Sequence, residues 1–220
     1  MKEFLGDDVA ESRRTQAFFD AYARDFDAIY GTRRNWVNRV LNPWLRRSMA
    51  LRFERTLAGC QPTSGASVLD VGCGPGHYGV ALAKRGAERV VGIDFAPNMI
   101  QIARDHAVGA GVEDICKFEE VRVEDFRPHE PFDFVVVNGF MDYVADASDM
   151  IERLLSWARV AAFFSFPAAG GILGWQRQLR YRRRCDLFLY RRSQLEHLFR
   201  ERGEVTIEPI ARDFFVSVRR

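Results

Sequence analysis

Three glycines at alternate positions, Gly72, Gly74 and Gly76, follow an apolar run at 68–71 and precede a segment with helical character. Glycine lets a backbone approach a ligand closely and adopt positive φ. A helix starting there offers N–H groups that have no partner within the helix. Two acids extend the pattern. Asp94 ends a second apolar run, eighteen positions after Gly76, where a carboxylate can accept from both hydroxyls of a ribose. Asp125 follows a third run and stands beside Phe126, an aromatic that could stack on a base. A nucleoside-bearing ligand is the chemistry these residues point to.

The elements that must position them follow from periodicity. Short apolar runs at 67–71, 89–93, 115–121, 132–137 and 160–166 read as strands, and 76–85, 97–108, 148–158 and 193–201 as helices. Pro97 suits a first helical turn, where its missing N–H costs nothing. Two closing strands, 204–210 and 213–218, are joined by a turn too short for a crossover helix, so they pair antiparallel. The sum is an α/β fold, a mostly parallel sheet with helices on both faces and one terminal hairpin. Ahead of it, Phe18, Tyr22, Phe26 and Tyr30 recur at steps of four over 11–30, and a second helical stretch covers 35–58, interrupted near Pro43.

Two other nucleotide loops are excluded. The dinucleotide fingerprint GxGxxG would need its third glycine at 77, which is His77, and Asp70 is foreign to it. A Walker loop would need GK followed by Ser or Thr, which the loop lacks.

VLDVGCGPG at 68–76 resembles the first motif of class I S-adenosylmethionine (SAM)-dependent methyltransferases of the small-molecule type. VVGIDFAPNMI at 90–100 resembles their second, and VEDF followed by PFDFVVVNGFMDYV resembles their third and fourth. The resemblance spans about 65–165 and implies a seven-stranded, Rossmann-like sheet of order 3-2-1-4-5-7-6. It implies SAM as cofactor and S-adenosylhomocysteine (SAH) as product. Asp70, Gly72, Cys73, Gly74 and Gly76 are then expected around the methionine part and Asp94 on the ribose. Phe95 and Met99 are expected beside the adenine, Asp125 with Phe126 at its amino group, and Asn138 near the transferring methyl. Glu124 departs from the family pattern and leaves open which of Glu124 and Asp125 faces the base. Tyr22 or Tyr30 is expected to close the site from the N-terminal helix.

A sulfonium is already a good leaving group, so alignment supplies much of the catalysis. A base is needed only where the acceptor's proton must leave early. Asp142, Tyr143 and His77 are the candidates for that role. The acceptor is expected to be a small molecule methylated at oxygen or nitrogen. A lipid-like or macromolecular acceptor, or a non-catalytic SAM-binding subunit, stays as an alternative.

The basic, aromatic segment 175–184 carries Arg180, Tyr181 and Arg184, which could hold an anionic acceptor. Trp36, Val40 and Trp44 among Arg33, Arg34, Arg39, Arg46 and Arg47 form a second such stretch, and together they fit peripheral contact with a membrane. The chain has 220 residues, a net charge of +2 and a pI near 8.4, too mild a basicity to favour nucleic acid. The charge is uneven, with 14 basic against 7 acidic residues in 151–220, and all but three of the 32 basic residues are arginine. One domain over 1–220 is expected, with a helical cap at 1–60 and a lid-like insertion at 167–190. Cys60, Cys73, Cys116 and Cys185 lack ligand spacing, so no metal is expected. The absence of a signal-like start or an 18-residue apolar run points to the cytoplasm. The oligomeric state is not legible.

Overall fold

The structure, a computed structural model, describes residues 43–170 and 187–220. The expectations for Tyr22, Tyr30 and Trp36, and for Arg180, Tyr181 and Arg184, lie outside these residues.

Seven strands form one sheet in the order β3-β2-β1-β4-β5-β7-β6. They are β1 (Ser67–Val71), β2 (Arg89–Asp94), β3 (Cys116–Glu120), β4 (Phe132–Val137), β5 (Ala158–Pro167), β6 (Glu204–Ile210) and β7 (Asp213–Arg219). The first five pair in parallel, whereas β7 pairs antiparallel with both β5 and β6. The helices are α1 (Pro43–Gly59), α2 (His77–Ala83), α3 (Pro97–Ala110), α4 (Ala147–Ser156) and α5 (Arg192–Leu198), with a 3-10 turn at Met141–Tyr143.

Side chains of a strand alternate between its two faces, and the central strands use both for core. Val68, Phe134, Val136 and Phe163 join Leu57 of α1, Leu82 of α2 and Ile100 of α3 in one apolar cluster. Leu69, Val71, Val135, Val137 and Phe164 join Ile151 and Leu154 of α4 and Leu195 of α5 in the other. Burial on both faces explains why these strands read as continuous apolar runs.

Differences from the expected boundaries have local causes. Helix α4 stops at Ser156, and after Trp157 the chain is already strand at Ala158. Asp146 caps its start by accepting from the Asp149 N–H. Strand β5 therefore begins two residues before the expected 160, and a register shift between Phe132 and Phe134 accommodates the exposed Arg159. Helix α3 runs to Ala110 because Gly111, at φ 65, supplies the left-handed residue that ends it. Within the described residues Pro43 opens α1. No described helix is long and apolar enough to cross a membrane.

Candidate functional site

Parallel strands deliver their loops to one edge of the sheet, and a cleft opens there between the ends of β1 and β2 on one side and of β4 and β5 on the other. The β1–α2 loop is knitted to β2 by backbone. Cys73 N–H donates to Ile93 O at 3.0 Å, and Gly76 N–H to Cys73 O at 3.0 Å. Asp94 adds its carboxylate, one oxygen accepting from Gly74 N–H at 2.9 Å and the other from Ala96 N–H at 2.9 Å. Asp94 thus braces the glycine loop while facing the cleft.

Gly76 takes φ 76 as the residue before α2. A Cβ there would stand 2.8 Å from Phe118 Cζ and 2.9 Å from Ala103 Cβ. Gly72, at φ 64, brings its backbone under the Phe140 ring, where a Cβ would sit 2.9 Å from Cδ2. His106 of α3 holds the loop from outside, with Nδ1 2.8 Å from Pro75 O, and stacks on His77 at 5.0 Å between ring centroids.

The opposite wall comes from the ends of β4 and β5 and from α1. Ser48, Arg52 and Thr56 recur at steps of four on α1 and are all buried, beside an apolar stripe of Met49, Phe53 and Leu57. Each polar residue of the stripe meets a different strand. Ser48 Oγ donates to Asp213 Oδ2 of β7. Arg52 donates to Ser165 Oγ of β5 at 3.1 Å, and Asn138 just after β4 donates to Thr56 Oγ1 at 2.9 Å. Ser165 Oγ also accepts from Gly139 N–H at 2.8 Å. Arg52 is thereby a largely buried cation lining the cleft, and Asn138, which lines it too, has a buried Oδ1 with no hydrogen-bond partner.

The cleft is open to solvent and spans about 700 Å³ with its mouth included. Of the residues singled out from sequence, Gly72, Cys73, Gly74, His77, Asp94, Phe95, Met99, Asn138 and Tyr143 line it together. Others do not. Glu124 and Asp125 are exposed beyond β3, and Phe126 packs edge-on against Trp157 at 5.6 Å. Asp142 is 4% exposed and, unlike Phe140 and Tyr143 of the same turn, does not line the cleft.

Asp70 lies beneath the loop rather than on the cleft wall. Burial, opposed by a hydrogen bond from Gly79 N–H and helped by the Asp94 charge, pushes its carboxyl up to about 7. Its Oδ2 has no hydrogen-bond partner. Burial, with the charges of Asp70 and Asp94, also holds the Cys73 thiol well above its usual range, so this lining thiol is not a nucleophile at neutral pH. Among the described residues no three His, Cys, Asp or Glu side chains converge as metal ligands would.

Sequence reasoning missed Arg52, Tyr78, Gly139 and Phe140 in the lining. Arg52 stands in a polar stripe at 48, 52 and 56 beside an apolar one, which sequence reads as the solvent face of an amphipathic helix.

A family model described as a methyltransferase domain matches residues 62–212. The chain belongs to that family. The ubiquinone biosynthesis O-methyltransferase of Paracidovorax citrulli is 38% identical over 96 residues, 43% of this chain and 40% of that protein. The protein of the same name from a Methylobacterium species is 31% identical over 136 residues, 58% of this chain and 50% of the relative. The chain thus spans about half or less of the length of these curated relatives. The SAH-bound magnesium protoporphyrin IX methyltransferase of Synechocystis PCC 6803 shares the fold, with a TM-score of 0.75 at 18% identity over 93% of this chain and 97% of that one.

Proposed function

We propose that the protein is a SAM-dependent methyltransferase that transfers a methyl group to an oxygen atom of a small molecule. The observation that carries this is the cleft itself, where a backbone glycine loop braced by Asp94 faces the buried guanidinium of Arg52. SAM has matching parts, ribose hydroxyls at one end and an amino-acid carboxylate at the other. The donor set fits in two further respects. The Asn138 Oδ1 requires a hydrogen-bond donor, and a Cβ at Gly74 would meet only the lining Met99 sulfur, at 4.0 Å.

In this reading Asp94 receives the ribose hydroxyls on lone pairs beyond those used by Gly74 and Ala96. Phe95 and Met99 flank the adenine. Arg52 pairs with the methionine carboxylate, and Asn138 accepts from the ammonium group. When bound, SAM supplies a methyl carbon on a positively charged sulfur. Tyr143 and Phe140 form the acceptor wall, with the Tyr143 hydroxyl orienting the acceptor hydroxyl and His77 receiving its proton. Asp142 has no such role, because its carboxyl lies in the interior. Arg180, Tyr181 and Arg184 are the proposed contacts to an anionic acceptor. Oxygen is favoured over nitrogen because the curated relatives are named O-methyltransferases.

The test has two parts. Calorimetry should give saturable SAH binding at one site per chain. Tritiated SAM incubated with a lysate of the source organism should label a small, solvent-extractable product whose methyl group resists mild alkali, as an ether does. Label confined to protein or nucleic acid would overturn the small-molecule acceptor, and failure to bind SAH would overturn the cofactor.

A further inference from the structure

Phe140 and Tyr143 line the cleft from one short turn, while the two residues between them, Met141 and Asp142, are buried. A backbone bond closes the turn, Tyr143 N–H to Phe140 O at 3.1 Å. Both intervening carbonyls are gripped from elsewhere in the chain. Phe188 N–H donates to Asp142 O at 2.9 Å, and the Tyr190 hydroxyl donates to Met141 O at 3.3 Å.

Tyr190 is itself anchored on β5. Its N–H donates to Pro167 O at 2.8 Å, its carbonyl accepts from Ala169 N–H at 2.7 Å, and Ala168 bridges to it in parallel. Its ring meets Phe166 edge-on at 4.9 Å, in the cluster that includes Phe199. The hydroxyl is thus carried on a ring that packing holds still. Burial, with the Asp142 charge, pushes it up to about 12, so it stays a donor throughout the range in which an enzyme works.

We infer that Tyr190 is a positioning residue for methyl transfer. Its hydroxyl fixes the Met141 carbonyl and thereby the turn that presents Phe140 and Tyr143 to the acceptor. In so short a 3-10 turn the backbone gives each carbonyl little hold, and the Tyr190 hydroxyl is the side-chain donor on the Met141 carbonyl. Without that donor the carbonyl can rotate, and the two side chains on either side of it swing with the peptide. Tyr190 is not among the residues that line the cleft, so its influence reaches the site through the turn, whose Tyr143 faces the acceptor and whose Phe140 also lies over Gly72. This inference rests on the methyltransferase reading for its meaning, although the geometric part is independent of it.

The experiment compares the wild-type chain with Tyr190→Phe, which keeps the ring and its packing and removes only the donor. Three quantities are read: SAH affinity, amide hydrogen exchange across 139–145, and transfer from SAM to the soluble phenol 3,4-dihydroxybenzoate. The expected result is SAH affinity within twofold of wild type, exchange in 139–145 faster by about tenfold, and KM for the phenol raised several-fold with a smaller change in kcat. Unchanged exchange at the turn overturns the proposal. A parallel loss of SAH affinity also overturns it, because the effect would then be on the whole site. If wild type binds SAH but does not methylate the phenol, exchange alone decides the positioning claim. If wild type does not bind SAH, the methyltransferase reading has failed and the exchange result still stands or falls by itself.

Discussion

The two halves of the cleft are built in different ways. Over β1 and β2 the wall is mostly backbone, a glycine loop whose amides are tied to Ile93 O and to the Asp94 carboxylate. Over β4 and β5 it is mostly side chain, with Arg52, Asn138, Phe140 and Tyr143 carried by α1, a strand end and a short turn. A backbone wall is specified within one stretch of sequence and tolerates little substitution. A side-chain wall depends on elements distant in sequence, and each contributor can be changed with the fold intact. In the proposed reading the cofactor spans both walls, its ribose on Asp94 and its amino-acid end on Arg52 and Asn138, and only Phe140 and Tyr143 of the second wall are left to the acceptor.

The sharpest way to break this comparison is Gly76→Ala. The methyl would carry a left-handed residue, about 1–2 kcal/mol unfavourable, into contact with Phe118 and Ala103 at under 3 Å, where overpacking adds about 1–3 kcal/mol. The expected outcome is a urea midpoint lowered by an amount equivalent to about 2–5 kcal/mol and no detectable SAH binding. A variant of wild-type stability and affinity would show that the loop is not the rigid half.

Asp94→Asn comes next. Both oxygens of Asp94 accept backbone N–H groups, so an amide must turn its NH2 toward one of these donors. Hydrogen bonds to a charged group are worth about 1.5–3 kcal/mol. SAH affinity is therefore expected to fall by about 10- to 100-fold in calorimetry, with the fold retained by circular dichroism.

How these two halves were legible differs for the same physical reason. The strands, the glycine loop and Asp94 are local patterns, in which neighbouring residues constrain each other through period and backbone geometry, and all of them could be read from sequence. Arg52 could not be singled out by type in a chain whose basic residues are nearly all arginine. Only its place on a buried polar stripe distinguishes it, and that stripe has meaning once Ser165 and Asn138 are known to lie under it. Asp142 and Tyr143 show the same limit on a smaller scale. Adjacent residues of a 3-10 turn point about 120° apart, and sequence marks neither as the one that faces the cleft.

Arg52→Met sharpens the comparison from the side-chain half. SAH affinity should fall by about tenfold, as expected for losing a charge-assisted pair, with little change in its stability curve. The decisive control is 5′-methylthioadenosine, which lacks the amino-acid carboxylate. Its affinity should be the same in both proteins. Equal weakening of both ligands would mean that Arg52 supports the cleft rather than pairing with the carboxylate.

Asp70→Asn probes what lies beneath the loop. Burial raises Asp70 from 3.8 to about 7, so between these values the folded chain holds a proton that the unfolded chain has lost. Stability from this group is thus full below about pH 4 and declines as pH rises toward 7. The Asn variant cannot titrate there. The Tm of Asp70→Asn minus that of wild type should therefore be more positive at pH 8 than at pH 5. A constant difference would mean that Asp70 ionises normally in the fold.

The smallest effect is expected where the family motif and the geometry part. Resemblance puts Asp125 at the adenine, with Glu124 as its rival. Both side chains are exposed beyond β3, their neighbour Phe126 is spent on Trp157, and the cleft is lined without any of the three. An exposed carboxylate competes with water for any partner, and its contacts are worth little even when formed. Asp125→Asn and Glu124→Gln should each change SAH affinity by less than about twofold, far below the effect at Asp94. A tenfold loss in either would show that the loop after β3 swings in to cover the base on binding. The backbone-built half would then end in a side-chain clasp, and the division between the two walls would hold only for the end of the cleft nearest the methyl group.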